Sequence, residues 1–272
     1  MQQSEYKTLY EAMPLRKSIR QYDDQYPTDE QCDLIDQFIN KINEEEDTLF
    51  HTKCRFALMR KDFSRIYTFG FIGGYKYWLC GVCEKNNADS EISFGNKFEK
   101  IILYITSLGL STVWLGATFI TSWFTEAINY NPEQDKILCV SPVGNKTKGW
   151  EGLTTFVTRR RYEWNNIFFK EDKSEFKKED CNEIITEEFL ERIRWAPSAM
   201  NAQEWRFIIN GNKIEVYFAG GMVSSLFGRC DVGISMAHIE IGTKATGHSG
   251  RWENENKQQE GWTYVSTWII EN

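Results

Sequence analysis

Apolar residues along this chain follow two rhythms, one helical and one strand-like, and the two come in the same order twice. Glu5 to Met13 predicts a first helix, ended by Pro14. Thr28 opens a second: Gln31 stands three positions on, as in a capping box, and Leu34, Ile35, Phe38 and Ile39 recur at helical spacing. Cys54 to Met59 reads as a strand, and Tyr75 to Cys83 as another after the Gly73-Gly74 turn. Lys97 to Leu108 predicts a helix stopping at Gly109, Ser122 to Asn129 a shorter helix, and Lys136 to Val143 a strand. Arg159-Arg160-Arg161 and a charged stretch, Lys170 to Asp180, then read as a linker.

After that stretch the pattern restarts. Thr186-Glu187-Glu188 followed by Phe189, Leu190 and Ile193 resembles Thr28-Asp29-Glu30 followed by Leu34, Ile35 and Phe38. Arg206-Phe207-Ile208-Ile209 resembles Arg55-Phe56-Ala57-Leu58, and Gly247, Ser249 and Trp252 repeat the spacing of Gly109, Ser111 and Trp114. The offset shrinks from the first match to the second and again to the third, as expected of a duplicated unit whose second copy has lost loops. Each copy runs helix, strand, strand, helix, strand, which predicts α+β packing of helices on a mainly antiparallel or mixed sheet.

Composition narrows the function. At 272 residues the chain makes one large or two modest domains and needs no disulfide or metal to fold. Hydrophobic (41%) and charged (26%) fractions are those of a soluble globular protein, and 10 Trp with 15% aromatics suit a packed interior and flat-ligand walls. A net charge of −7 argues against a general nucleic-acid binder but leaves room for a small anion at a local cationic cluster. Seven irregularly spaced Cys and a polar start without a signal peptide point to reduced thiols and a cytoplasmic protein. Ile101 to Thr125 carries no charge, but ten of its positions are Ser, Thr or Gly. That predicts a buried helix running into a buried loop rather than a membrane span.

Three segments hold candidate chemistry. Arg16-Lys17-Ser18-Ile19-Arg20 packs three cations and a hydroxyl into one short run. If extended, it puts Arg16, Ser18 and Arg20 on one face, suited to an anion such as a phosphate; a solvated basic patch has the same pattern. Ala196-Pro197-Ser198-Ala199-Met200-Asn201-Ala202-Gln203 ends a helix at Pro197 and brings amides and a hydroxyl into a loop, where they bind a heterocycle edge or close turns. Gly109 to Phe119 is rich in small residues that admit a planar ligand or a tightly packed backbone. Cys80-Gly81-Val82-Cys83 has CxxC spacing but lies in an apolar strand-like run, which favours structural thiols over a redox pair. His51, His238 and His248 are isolated, and GxGxxG, P-loop and G-x-S-x-G patterns are absent from the sequence.

Together RKSIRQY, GLSTVWLGATF and APSAMNAQEWRF resemble the signature segments of FMN-dependent nitroreductases, in an order similar to the single-chain, fused TM nitroreductase branch. The likeness runs from about Tyr10 to Trp268 and includes DVGISMAHIE at 231–240. It implies a nitroreductase-like α+β fold with two related halves, 1–169 and 170–272, fused into one pseudo-dimer that is monomeric as a chain. It also implies roles. Arg16, with Lys17 and Ser18, would hold the FMN phosphate or ribityl end, and Arg20 the N1 and O2 edge. Leu115, Gly116 and Ala117 would offer backbone N–H groups near N5, and Arg159 and Arg161 would add phosphate contacts. Pro197, Ser198, Ala199 and Asn201 would come from the second half, where relatives use a partner subunit. Two positions depart from the family: Glu204 stands where Pro is usual, and Ala117 where a second Gly is common.

The resemblance thus implies hydride transfer from NAD(P)H to FMN and on to a small-molecule acceptor, with no nucleic acid or membrane partner. One composite site predicts one FMN per chain. An FMN carrier or sensor without turnover, and a thiol oxidoreductase using Cys80 and Cys83, are the competing readings.

Overall fold

The computed structural model describes residues 1–62, 72–147, 160–220, 226–255 and 257–271. In chain order the first part holds α1 (Gln3–Ala12), α2 (Asp29–Glu44), β1 (Arg55–Met59), β2 (Tyr77–Glu84), α3 (Ala88–Ser107), β3 (Ser111–Thr112) and β4 (Asp135–Gly144). The second holds β5 (Phe168–Phe169), α4 (Glu187–Arg194), β6 (Trp205–Asn210), β7 (Lys213–Phe218), α5 (Gly228–Ala245), β8 (Ser249–Glu253) and β9 (Thr263–Glu271).

The strands form two sheets, β1-β2-β4-β3 and β5-β6-β7-β9-β8. Without β5 the orders are the same, and each neighbouring pair in them is antiparallel. Only β5 is different, running parallel to β6 at the edge of the second sheet. Both inner pairings carry an irregularity, between Cys80 and Val82 in β2 and between Val216 and Tyr217 in β7.

Local chemistry explains most boundaries. Thr28 Oγ1 accepts the Gln31 N–H at 3.2 Å and Gln31 Oε1 accepts the Thr28 N–H at 3.0 Å, closing the expected capping box of α2. Thr186 caps α4 in the same way, accepting the Phe189 N–H at 3.2 Å.

Three expectations need correction. The third helix begins at Ala88, not Lys97, because Asn87 Oδ1 caps it through Asp89 and Ser90. Farther along, Ile92, Gly95 and Asn96 pack their backbone against α5. Ser122 to Asn129 forms only two 3-10 turns, Thr121–Trp123 and Glu126–Ile128, and Asn129 in the left-handed region ends the second. The stretch from Lys170 to Asp180 is largely exposed, as a linker would be, but it is tied to the second sheet. Phe176 is buried and donates its N–H to Phe168 O at 3.1 Å, and β5 joins the second sheet just ahead of the expected division at 170.

Among the described residues three clusters make the core. One lies between the first sheet and α1, α2, α3 and α5; a second joins the second sheet to α4 and α5. The third covers the outer face of the first sheet and includes Ile19, Tyr22, Trp78, Val113 and Phe124.

Candidate functional site

The basic segment is extended along the edge of the first sheet. Ser18 bridges Thr112 of β3, the Ile19 N–H donates to Thr112 O at 2.9 Å, and the Gly73 N–H donates to Arg20 O at 3.0 Å. Ile19 and Tyr22 are buried in the outer core, which fixes the segment, while Arg16, Lys17, Ser18 and Arg20 are half-buried. The segment is thus extended, with Lys17 exposed to the same degree as Arg16 and Ser18. Arg20 makes no hydrogen bond or ion pair through its guanidinium among the described residues. Thr112 Oγ1, fully buried beside Ser18, has no hydrogen-bond partner among them either. Orphaned buried polar atoms of this kind call for a ligand or water.

Shortly after Thr112, Leu115 exchanges both backbone hydrogen bonds with Val140, at 2.9 and 3.0 Å. Its N–H belongs to the sheet, so only Gly116 and Ala117 are left to offer backbone donors. The residue before, Trp114, is pinned by its indole N–H to Glu99 Oε2 at 3.1 Å. Glu99 Oε1 lies 3.2 Å from His238 Nε2, and His238 Nδ1 lies 2.8 Å from Arg192 O. A carbonyl only accepts, so Nδ1 carries the proton there. Arg192 in turn donates to Tyr10 O at 3.3 Å, tying the end of α4 to the end of α1.

The second-half loop turns sharply. Met200, Asn201 and Gln203 have φ of 50, 58 and 51°, left-handed values that non-glycine residues rarely adopt. Its hydrogen bonds over-determine that shape. The Ala199 N–H donates to both Asp231 oxygens at 3.0 Å, and the Gln203 N–H to Ser198 Oγ at 3.0 Å. Arg161 donates to Asn201 Oδ1 at 2.9 Å and Trp195 O at 3.1 Å, with its guanidinium 5.3 Å from the Trp195 ring. Asn201 Nδ2 donates to Arg160 O at 2.7 Å. Arg161 and Asn201, expected as separate FMN contacts, are thus bonded to each other. Pro197 is buried at the head of the loop and Met200 projects into solvent. Arg159 lies outside the described residues.

The first turn of α5 joins the two loops. The Phe227 ring is packed against Gly116, where an added Cβ would stand 2.5 Å from two ring carbons. Phe227 O accepts the Asp231 N–H at 2.9 Å, and Asp231 holds Ala199. Burial pushes the Asp231 carboxyl up to about 7, the Ala199 N–H opposing and the Glu204 charge adding to the rise. Phe227, Asp231 and Thr112 were not singled out by sequence. Asp231 opens a segment typical of the family, but an acid in a first helical turn is routine; the lone Phe227 carries no pattern.

Cys80 and Cys83 do not form a redox pair. Both are buried in β2, Cys80 in the outer core and Cys83 in the inner one, on opposite sides of the sheet. Burial pushes the Cys80 thiol up to about 12 and raises that of Cys83 as well. Among the described residues no His, Cys, Asp and Glu cluster holds a metal, and no helix is long and apolar enough to cross a membrane.

Residues 8–243 match the family model described as "Putative TM nitroreductase". The solved structure of a "putative nitroreductase" from Thermotoga maritima MSB8 matches with a TM-score of 0.62 and 15% identity, covering 96% of this chain and 92% of that one. A nitroreductase-type structure from Desulfovibrio desulfuricans, in complex with FMN, matches at 0.40 and 20% identity over 57% of this chain and 98% of that one. One from Bacteroides thetaiotaomicron VPI-5482, described as an NADH dehydrogenase/NAD(P)H nitroreductase, matches at 0.44 and 16% over 58% and 95%. No curated protein sequence matches the chain. With the family model matching residues 8–243, most of the chain, and the Thermotoga fold followed nearly end to end, this chain belongs to the TM nitroreductase family.

Proposed function

We propose that the chain is an FMN-dependent oxidoreductase of nitroreductase type. It would take a hydride from NAD(P)H and pass electrons to a small acceptor such as a nitroaromatic or a quinone. Bound FMN supplies the hydride-accepting chemistry, and the protein supplies binding, orientation and electrostatics. The observation that carries the reading is the single turn of α5 touching both loops, Phe227 on Gly116 and Asp231 on Ala199.

The residues fit the group. Arg20 presents an uncommitted cation and Thr112 an orphaned hydroxyl. Arg16, Ser18 and Arg20 would hold the phosphate and the polar ring edge with forked, charge-assisted donors. A cation at that edge favours the negative charge that reduction brings. Gly116 and Ala117 would donate backbone N–H groups, and the loop at Ser198 to Asn201 would close the site from the second half. We read the chain as two duplicated halves dividing near 170, monomeric and cytoplasmic, with one FMN.

An FMN carrier would also be yellow. Anaerobic mixing with NADH or NADPH separates the two: bleaching of the ~450 nm flavin band within seconds is expected of the oxidoreductase. A band that neither nicotinamide bleaches removes the reductase reading, and a colourless protein that takes up no FMN removes both.

A further inference from the structure

Two apolar side chains stand in water beside the candidate site. Met200 is 85% exposed and Leu226 65%. Scattered apolar residues on a surface are ordinary, but the exposure of Met200 is enforced. Its φ of 50° lies in the left-handed region, and its neighbours are tied on both sides, Ala199 to Asp231 and Asn201 to Arg160 and Arg161. Such a conformation costs stability and persists where the surroundings fix it, typically at binding sites. Leu226 is the residue before Phe227, whose ring packs on Gly116. Ile120 and Tyr162 extend this surface. Ile120 is exposed on the segment leaving Gly116, and the exposed Tyr162 donates its N–H to Gln203 Oε1 at 2.9 Å.

We propose that Met200 and Leu226 are specificity residues for the acceptor, a quinone that carries an apolar chain on its reducible ring. The inference rests on the oxidoreductase reading above and names the acceptor class for that site. Each residue is the chain neighbour of a group at the site, Met200 between Ala199 and Asn201 and Leu226 beside Phe227. A ring seated near Gly116 would therefore have apolar surface of the second half next to it. Charge is sparse there. Of residues 116–123, 199–203 and 226–231, only Arg229 is both charged and exposed, and it lines a separate cavity with Asp89 and Phe218. Around Tyr162 the exposed Arg160 and Glu163 balance. An anionic tail would gain little along these segments, whereas a hydrocarbon chain removes Met200 and Leu226 from water. Met is unbranched and adapts to chains of differing shape. Overall, the quinone takes a hydride from NAD(P)H and a proton from water, two electrons in all, and leaves as its hydroquinone beside NAD(P)+.

The test compares decylubiquinone with its chainless parent quinone, each reduced by NADH or NADPH with the FMN-loaded protein. The chain is expected to raise kcat/KM about tenfold, the equivalent of roughly two fully buried methylene groups. In Met200→Gln/Leu226→Gln that ratio is expected to fall to about one. The ratio is read within each protein, so a general loss of activity does not enter it. A decyl chain that confers no gain in the parent overturns the proposal, and so does a gain that the double variant retains. A dimer in light scattering that the double variant dissolves would assign the surface to a second copy and overturns it as well. A flavin that bleaches with nicotinamide while neither quinone is reduced overturns this proposal alone. If neither nicotinamide bleaches the flavin, the oxidoreductase reading fails, and tryptophan-fluorescence titration with the two quinones decides the surface by itself. Tighter binding of decylubiquinone in the parent but not in the double variant then supports the apolar subsite, and equal binding overturns it.

Discussion

Gly95 of α3 and Gly233 of α5 each rest on the backbone of the other's helix, and they are related by the same step as Gly109 and Gly247. A Cβ on Gly95 would overlap the carbonyl of Cys230, and one on Gly233 the carbonyl of Ile92, and those two residues stand in that relation as well. This reciprocity is that of a two-fold interface, here within one chain. It extends outward. Lys100 and His238, equivalent by the same step, each reach an acid on the opposite helix: Lys100 to Glu240 at 2.8 Å and His238 to Glu99 at 3.2 Å. Each acid also takes an indole N–H from its own half, Glu240 from Trp252 at 2.6 Å and Glu99 from Trp114 at 3.1 Å.

Neither glycine of that crossing accommodates a methyl group. Gly95→Ala or Gly233→Ala forces the helices apart and is expected to cost about 3 kcal/mol or more, the upper end for overpacking. That lowers the thermal midpoint by about 10 °C for a chain of this size. An unchanged melting curve would contradict the crossing.

Lys100 is buried between Glu240 and Glu45, whose attraction raises its pKa against the effect of burial. Lys100→Met alone leaves Glu240 buried without its cation and should cost about 3–5 kcal/mol in denaturant unfolding. Lys100→Met with Glu240→Met should recover most of that loss. A double variant no more stable than the single one would mean the pair is not the source.

Asp231 has its pKa raised to about 7 from an ordinary 3.8. The folded state therefore holds that proton more tightly than the unfolded chain. The ionised carboxyl costs stability above pH 7, and the cost fades as pH falls from about 7 to 4. Asp231→Asn keeps an oxygen for the Ala199 N–H and removes the charge. It should be about 2–4 kcal/mol more stable than the parent at pH 8, with the advantage gone near pH 4. Melting curves at the two pH values measure this; a variant destabilised at pH 8 would show that the carboxylate charge is favourable.

Arg20→Ala should weaken FMN binding about 10- to 100-fold, as expected for a charge-assisted contact, in a flavin-fluorescence titration. Cys80→Ala and Cys83→Ala should leave FMN uptake unchanged. The reverse pattern would favour the thiols over the basic segment.

Much of this fold was legible in the residues. Thr28 and Thr186 announced their helices because a cap and its partner lie within one helical turn. The three internal matches found the symmetry because the corresponding elements of the two sheets come in the same order. The basic segment is extended as read, held in place by Ile19 and Tyr22 in the outer core. The start of α3 was misread for the opposite reason. Gly95 and Asn96 carry no helical signal until a second helix lies against them, and that helix, Gly228–Ala245, belongs to the far half of the sequence.

The sequence by itself determined the kinds of element, their twofold order, and which short segments carry cations, amides and small residues, since periodicity and capping act within a few residues. Only the tertiary structure decided which groups those segments would meet. It gave the Leu115 N–H to Val140, joined Arg161 to Asn201, and laid Phe227 on Gly116. Those pairings depend on how two distant parts of the chain pack, and no local pattern encodes them.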